Sequence, residues 1–129
     1  MTDRPRRILL AEDDRFLRKA GAVALRQHGY TVLLAVDGEE ALRIARAERP
    51  DLVLLDLIMP KLQGFEVLRA LKEDPDTRPI PVIVLSNLGR DRDVQQTMEA
   101  GAVGYFTKAN LSLRDLVKQV ESALGRTGA

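Results

Sequence analysis

The stretch DLVLLDLIMP, residues 51–60, is the one on which the fold turns. Leu52 to Leu55 form an unbroken apolar run of strand length, bounded by Asp51 and followed by Asp56, with Pro60 closing the stretch. A strand with one wet face alternates polar and apolar residues, so a continuous run predicts a strand covered on both faces. Such strands belong to parallel sheets flanked by helices. A carboxylate at the mouth of such a strand therefore asks for an explanation.

The same pattern recurs along the chain. RILLA (7–11), TVLLA (31–35), PVIVLS (81–86) and GYFT (104–107) read as four further strands. Phe16, Leu17, Ala20, Val23 and Ala24 fall at i, i+1, i+4, i+7 and i+8, one face of a first helix that Gly29 ends. Asp37 stands three residues before Glu40, a capping-box pattern opening a helix with Ala41, Leu42, Ile44 and Ala45 on its apolar side, ended by Pro50. Phe65, Leu68 and Leu71 mark a third helix, followed by the turn-rich EDPDTRP. A more polar fourth helix runs around 91–100, with Val94 and Met98 its apolar members. Ser112 caps a last helix bearing Leu113, Leu116, Val117, Val120 and Leu124. Five strands alternating with five helices predict an α/β fold: a doubly wound five-stranded parallel sheet, flavodoxin-like (βα)5, in the order 2-1-3-4-5.

A chain of 129 residues fits one domain, with a core over about residues 6–125 and short polar tails. Hydrophobic residues at 45% and charged residues at 30% place it among soluble globular chains. The apolar runs are too short to span a bilayer, and MTDRPRR has the wrong character for a secretory signal, so no membrane association is expected. Absence of cysteine removes thiolate metal sites and fits a cytoplasmic setting. Net charge is +1, and aromatics are only 4%, which leaves little to bind nucleic acid directly; Arg4, Arg6 and Arg7 read as a solvated arm.

In an open parallel sheet, ligands bind at the carboxyl ends of the strands. Strand 1 runs out into Glu12, Asp13 and Asp14; strand 3 into Asp56; strand 4 into Ser86 and Asn87; strand 5 into Thr107 and Lys108. Each has a bland reading. Asp13 or Asp14 could be a helix cap, Asp56 a turn former, Ser86 a turn cap and Lys108 a surface charge. Four such coincidences at one edge are harder to accept than one site. Three carboxylates crowded together raise one another's pKa unless a cation joins them. An all-oxygen donor set suits Mg²⁺, with Mn²⁺ as the alternative. With Lys108 as a compact positive charge and Ser86 as a hydroxyl donor, the set describes phosphoryl transfer with a carboxylate nucleophile. His28, the only histidine, falls in the QHGY turn at the opposite edge and reads as a surface residue.

The motifs ILLAEDD, LVLLDLIMP with Gly64 four residues after Pro60, VIVLS, and AGAVGYFTK, in this order, resemble the receiver domain of two-component response regulators over about residues 6–125. The resemblance implies that Asp56 is the phosphoacceptor, and that Glu12, Asp13, Asp56 and the backbone carbonyl of Ile58 hold Mg²⁺. It implies that Ser86 and Lys108 contact the phosphoryl group. Tyr105 is then the switch aromatic, turning inward as Ser86 moves toward phosphate. The implied protein is a stand-alone signalling switch, not an enzyme in the usual sense. It takes phosphate from a histidine kinase or phosphotransfer protein, changes the helix 4/strand 5/helix 5 face toward an output protein, and slowly dephosphorylates itself. It would be a monomer or a phosphorylation-dependent dimer.

Two positions depart from the family pattern. Ala109 follows Lys108 where the family has a proline after a cis peptide; cis before a non-proline residue costs about 2.5–4 kcal/mol, so a trans bond is expected. Gln63 replaces a common Asp and lies off the chemistry. Ile58 and Leu88, which by the resemblance flank the path of the hydrolytic water, are apolar, so a long-lived phospho-Asp56 is expected. Ile58 also argues against an aspartyl phosphohydrolase, which commonly has an acid/base Asp at that position. The acidic EDDRF loop argues against a flavin phosphate site, and the intact site against a degenerate receiver.

Overall fold

Alternation along each strand sorts the apolar side chains into two layers. A computed structural model describes residues 5–57, 59, 61, 63–86 and 91–125; Ile58, Pro60, Asn87 and Leu88 lie outside the described residues. The strands are β1 (Arg7–Ala11), β2 (Thr31–Ala35), β3 (Leu52–Asp56), β4 (Val82–Ser86) and β5 (Gly104–Thr107). All pair in parallel, in the order β2-β1-β3-β4-β5. Leu9, Val53, Leu55, Val82 and Val84 point to one layer, and Ile8, Leu52, Leu54, Ile83 and Leu85 to the other. This is the period of two expected of a strand, with both sides apolar because both are covered.

The helices are α1 (Arg15–Gln27), α2 (Gly38–Glu48), α3 (Gly64–Glu73), α4 (Asp91–Glu99) and α5 (Leu113–Ala123). α2 and α3 contribute Ala41, Ala45, Val67, Leu68 and Leu71 to the first layer. α1 and α5 contribute Ala22, Leu25, Leu116, Val117 and Val120 to the second. Capping follows the sequence closely. The Asp37 carboxylate accepts from Glu40 N at 2.8 Å, and Ser112 forms a reciprocal capping box with Asp115. Gly29, at φ 90°, supplies the left-handed step that turns the chain from α1 into β2.

The apolar face expected for α1 packs only in part: Ala24 lies against the core and Ala20 is half-buried, but the larger side chains on it do not pack. Phe16 is 77% exposed and Val23 46% exposed, while the buried residues are Gly21, Ala22 and Leu25. The packed stripe begins at half-buried Arg18 and runs through Gly21 and Ala22 to Leu25, at i, i+3, i+4 and i+7. Two small residues and one arginine hide this stripe from a count of apolar side chains. Gly21 lets α1 approach the sheet, because a Cβ there would lie 3.1 Å from Leu10 Cδ2. In α4, likewise, Thr97 is buried whereas Met98 is 42% exposed.

Candidate active site

Each acidic residue owes its position to a backbone tie. Glu12 N donates to Ala35 O at 3.0 Å, extending the β1–β2 ladder one residue past β1 and fixing where the chain leaves the sheet. The Glu12 side chain is buried, and its Oε2 accepts from Asp14 N at 3.1 Å. Asp14 caps α1, accepting from Leu17 N at 2.9 Å, and Asp13 between them is exposed. Arg18 reaches back from the first turn of α1, where side chains lean toward the helix N-terminus. Its Nη1 donates to Glu12 O at 2.9 Å and Asp13 O at 3.2 Å.

Asp56 ends β3 in the centre of the sheet, beside Leu85 of β4, and is only 4% exposed. Gly64 packs onto the backbone here. Its N–H donates to Leu57 O at 2.8 Å, and a Cβ would lie 2.4 Å from Asp56 O, inside any allowed contact. Ser86 is fully buried and sits beside Thr107 in the β4–β5 register, one residue before Lys108. Lys108 Nζ then spans two acids, Glu12 Oε1 at 2.6 Å and Asp56 Oδ2 at 3.1 Å. Tyr105, paired with Val84, is half-buried and packs on the α2–α3 layer.

The segment after Lys108 forms a single 3-10 turn, Lys108–Asn110, which periodicity did not announce. The Lys108–Ala109 peptide is trans, as expected, since the described residues contain no cis bond. His28 is exposed, its Nδ1 2.9 Å from Ala24 O. Sequence reasoning also passed over Lys61, which adopts φ 70° and pairs with Asp37 Oδ2 at 3.5 Å, joining the loops after β2 and β3.

Electrostatics follow from this crowding. Burial, then the charge of Glu12 and its hydrogen bond, push the Asp56 carboxyl up to about 7, against the opposing pull of Lys108. Burial works against the Lys108 ammonium, but Glu12 and Asp56 outweigh it and raise its pKa. The ammonium alone therefore does not keep Asp56 in the ordinary carboxylate range. One oxygen each from Glu12, Asp13 and Asp56 lie within 4.8 Å of one another. Carboxylate oxygens so gathered, in a protonation state that a divalent charge would reverse, fit a hard cation such as Mg²⁺. The Ile58 carbonyl expected to assist them lies outside the described residues.

Comparison with known proteins decides the lineage. The model of the response regulator receiver domain matches residues 8–121. The chain belongs to the response regulator receiver domain family. The DNA-binding dual master transcriptional regulator RpaA of Synechocystis is 37% identical over 94% of this chain and 50% of its own. The phosphate regulon regulator PhoB of Pseudomonas aeruginosa is 39% identical over 94% of this chain and 52% of its own. The chain thus spans about half the length of these curated relatives. A response regulator from Chloroflexus aurantiacus superposes with a TM-score of 0.88 at 29% identity, covering 95% of this chain and 100% of that one. The receiver domain of the sensor histidine kinase PA1611 from Pseudomonas aeruginosa superposes at 0.85, 29% identical, over 95% of this chain and 99% of that one. That structure holds a magnesium ion in its active-site cleft. Among the described residues of this receiver domain, no helix is long and apolar enough to cross a membrane.

Proposed function

We propose that this receiver domain is a phosphorylation-activated signalling switch in which Asp56 accepts a phosphoryl group from a histidine kinase or phosphotransfer protein. The observation that carries the reading is the convergence of the Glu12, Asp13 and Asp56 carboxylates with Lys108 Nζ on one edge of the sheet. In the transfer, a carboxylate oxygen of Asp56 attacks phosphorus as the bond to the donor imidazole nitrogen breaks, and the imidazole leaves with the electron pair. Deprotonated Asp56 is the nucleophile, so whatever lowers its raised pKa also activates it. Glu12, Asp13 and Asp56, with the carbonyl of Ile58, would hold Mg²⁺, which when bound supplies positive charge to carboxylate and phosphoryl oxygens. Lys108 exchanges its contact with Asp56 for one with a phosphoryl oxygen. Ser86 donates its hydroxyl to another.

The same residues then carry the signal. Ser86 moves toward the phosphoryl group, and Tyr105, three residues before Lys108 on β5, turns into the space vacated. The α4–β5–α5 face changes accordingly, and an output protein reads the change. Ile58 and Leu88 orient no water, so the phospho-aspartate is long-lived and self-hydrolysis is slow.

Mass spectrometry after treatment with acetyl phosphate and Mg²⁺ tests this. The expected result is one phosphoryl adduct that is absent from Asp56→Asn and from protein treated in EDTA. Failure to form an adduct, or an adduct that survives Asp56→Asn, refutes the assignment.

A further inference from the structure

We infer that Arg18 is a positioning residue for the divalent-cation site, holding the β1–α1 loop so that the Glu12 and Asp13 carboxylates converge with that of Asp56. The inference rests on the proposed Mg²⁺ site and concerns how this chain shapes it. The loop places three acidic residues in succession, which repel one another and favour an open arrangement. Glu12 is restrained by its own N–H to Ala35 O and by the Asp14 N–H on its Oε2, and Asp14 is restrained as the α1 cap. Asp13, exposed as Asp14 is, has its carbonyl held by the Arg18 guanidinium, which donates to it. One nitrogen, Nη1, binds the carbonyls of Glu12 and Asp13 together, at 2.9 and 3.2 Å. Such a clamp sets the direction of both peptide planes, and with them the side chains that leave from either side of the tie.

Placement supports this role over that of a solvated charge. Arg18 heads the packed stripe of α1, ahead of Gly21, Ala22 and Leu25, and is half-buried, whereas Arg15 and Lys19 on the same turn are exposed. A guanidinium also stands near a cation site, where its charge by itself opposes a second cation. Geometry and charge therefore predict opposite signs for its removal. Outer partners that orient metal ligands typically set affinity by roughly 10-fold or more.

The test is calorimetric titration of the full chain with MgCl₂ in metal-free buffer, with parallel thermal melts in EDTA. Arg18→Ala is expected to weaken Mg²⁺ binding by about 10-fold, while Arg18→Lys, able to donate to a carbonyl, recovers part of the loss. Arg15→Ala removes the same charge from an exposed neighbour and is expected to leave affinity unchanged or slightly tighter. If Arg18→Ala binds Mg²⁺ as well as or better than the parent, the positioning role is refuted. Should Arg18→Ala fail to fold, Arg18→Lys and Arg18→Gln decide, and parent-like affinity in both refutes it. A parent protein that binds no Mg²⁺ overturns the metal site itself, and this inference with it; a parent that binds while Arg18→Ala does not lose affinity overturns the inference alone.

Discussion

Lys108 Nζ lies closer to Glu12 Oε1, at 2.6 Å, than to Asp56 Oδ2, at 3.1 Å. The ammonium is thus held mainly by Glu12, the residue that follows β1, and reaches from there to Asp56 at the end of β3. In the proposed phosphotransfer it would exchange Asp56 for a phosphoryl oxygen while keeping Glu12. Removing it exposes two buried carboxylates to each other. Lys108→Ala is expected to destabilise the metal-free protein by roughly 3 kcal/mol above neutral pH, because breaking a buried pair leaves uncompensated charge. The loss is smaller in acid, where Asp56 protonates. Urea denaturation in EDTA at two pH values checks both statements.

The raised pKa of Asp56 has a direct consequence for stability. Its carboxyl titrates at 3.8 when unperturbed and near 7 in the folded protein. Between those values the folded state binds a proton that the unfolded chain releases, so stability falls as pH rises from about 4 to about 7. Lys108, whose pKa is raised, contributes stability that is lost only above its ordinary 10.5, outside that window. Thermal melts in EDTA across the window are expected to slope downward for the parent and to flatten for Asp56→Asn. A parent curve that rises instead would contradict the assignment of this carboxyl.

Gly64 admits no side chain. Its Cβ would fall 2.4 Å from Asp56 O and 2.6 Å from Leu57 Cα, both backbone atoms that cannot swing aside. Gly64→Ala is expected to cost about 1–3 kcal/mol as an overpacked contact. Because α3 would be displaced from the segment that carries Asp56, acetyl phosphate labelling should also slow. Equilibrium unfolding and adduct formation measure the two effects separately.

Ser112 offers a cleaner probe of local stability, away from Asp56. Its hydroxyl accepts from Asp115 N at 3.1 Å, and Asp115 Oδ2 accepts in turn from Ser112 N at 3.3 Å. Ser112→Ala is expected to cost about 1 kcal/mol through loss of the α5 cap, with Mg²⁺ affinity unchanged.

Ile58 should govern the lifetime of the phosphorylated state. Ile58→Asn introduces a group able to orient a water, and loss of phosphate, followed by mass spectrometry after removal of the donor, is expected to be faster than in the parent. Equal rates would show that the apolar side chain does not set the lifetime.

The amino-acid order alone determined the strands, their parallel arrangement and the edge on which Glu12, Asp56, Ser86 and Lys108 emerge. These features depend on short apolar runs and on caps such as Asp37 and Ser112, whose partners lie within a few residues. What only the tertiary structure decided depends on partners far apart in the chain. The face of α1 that packs is chosen by the fit of Gly21 against Leu10 and the reach of Arg18 to the loop, not by its count of apolar residues. The protonation of Asp56 is likewise set by its burial and by Glu12, 44 positions earlier, and Lys108, 52 positions later, which folding brings together. DLVLLD announces where the carboxylate stands; its chemistry comes from the neighbours that folding brings to it.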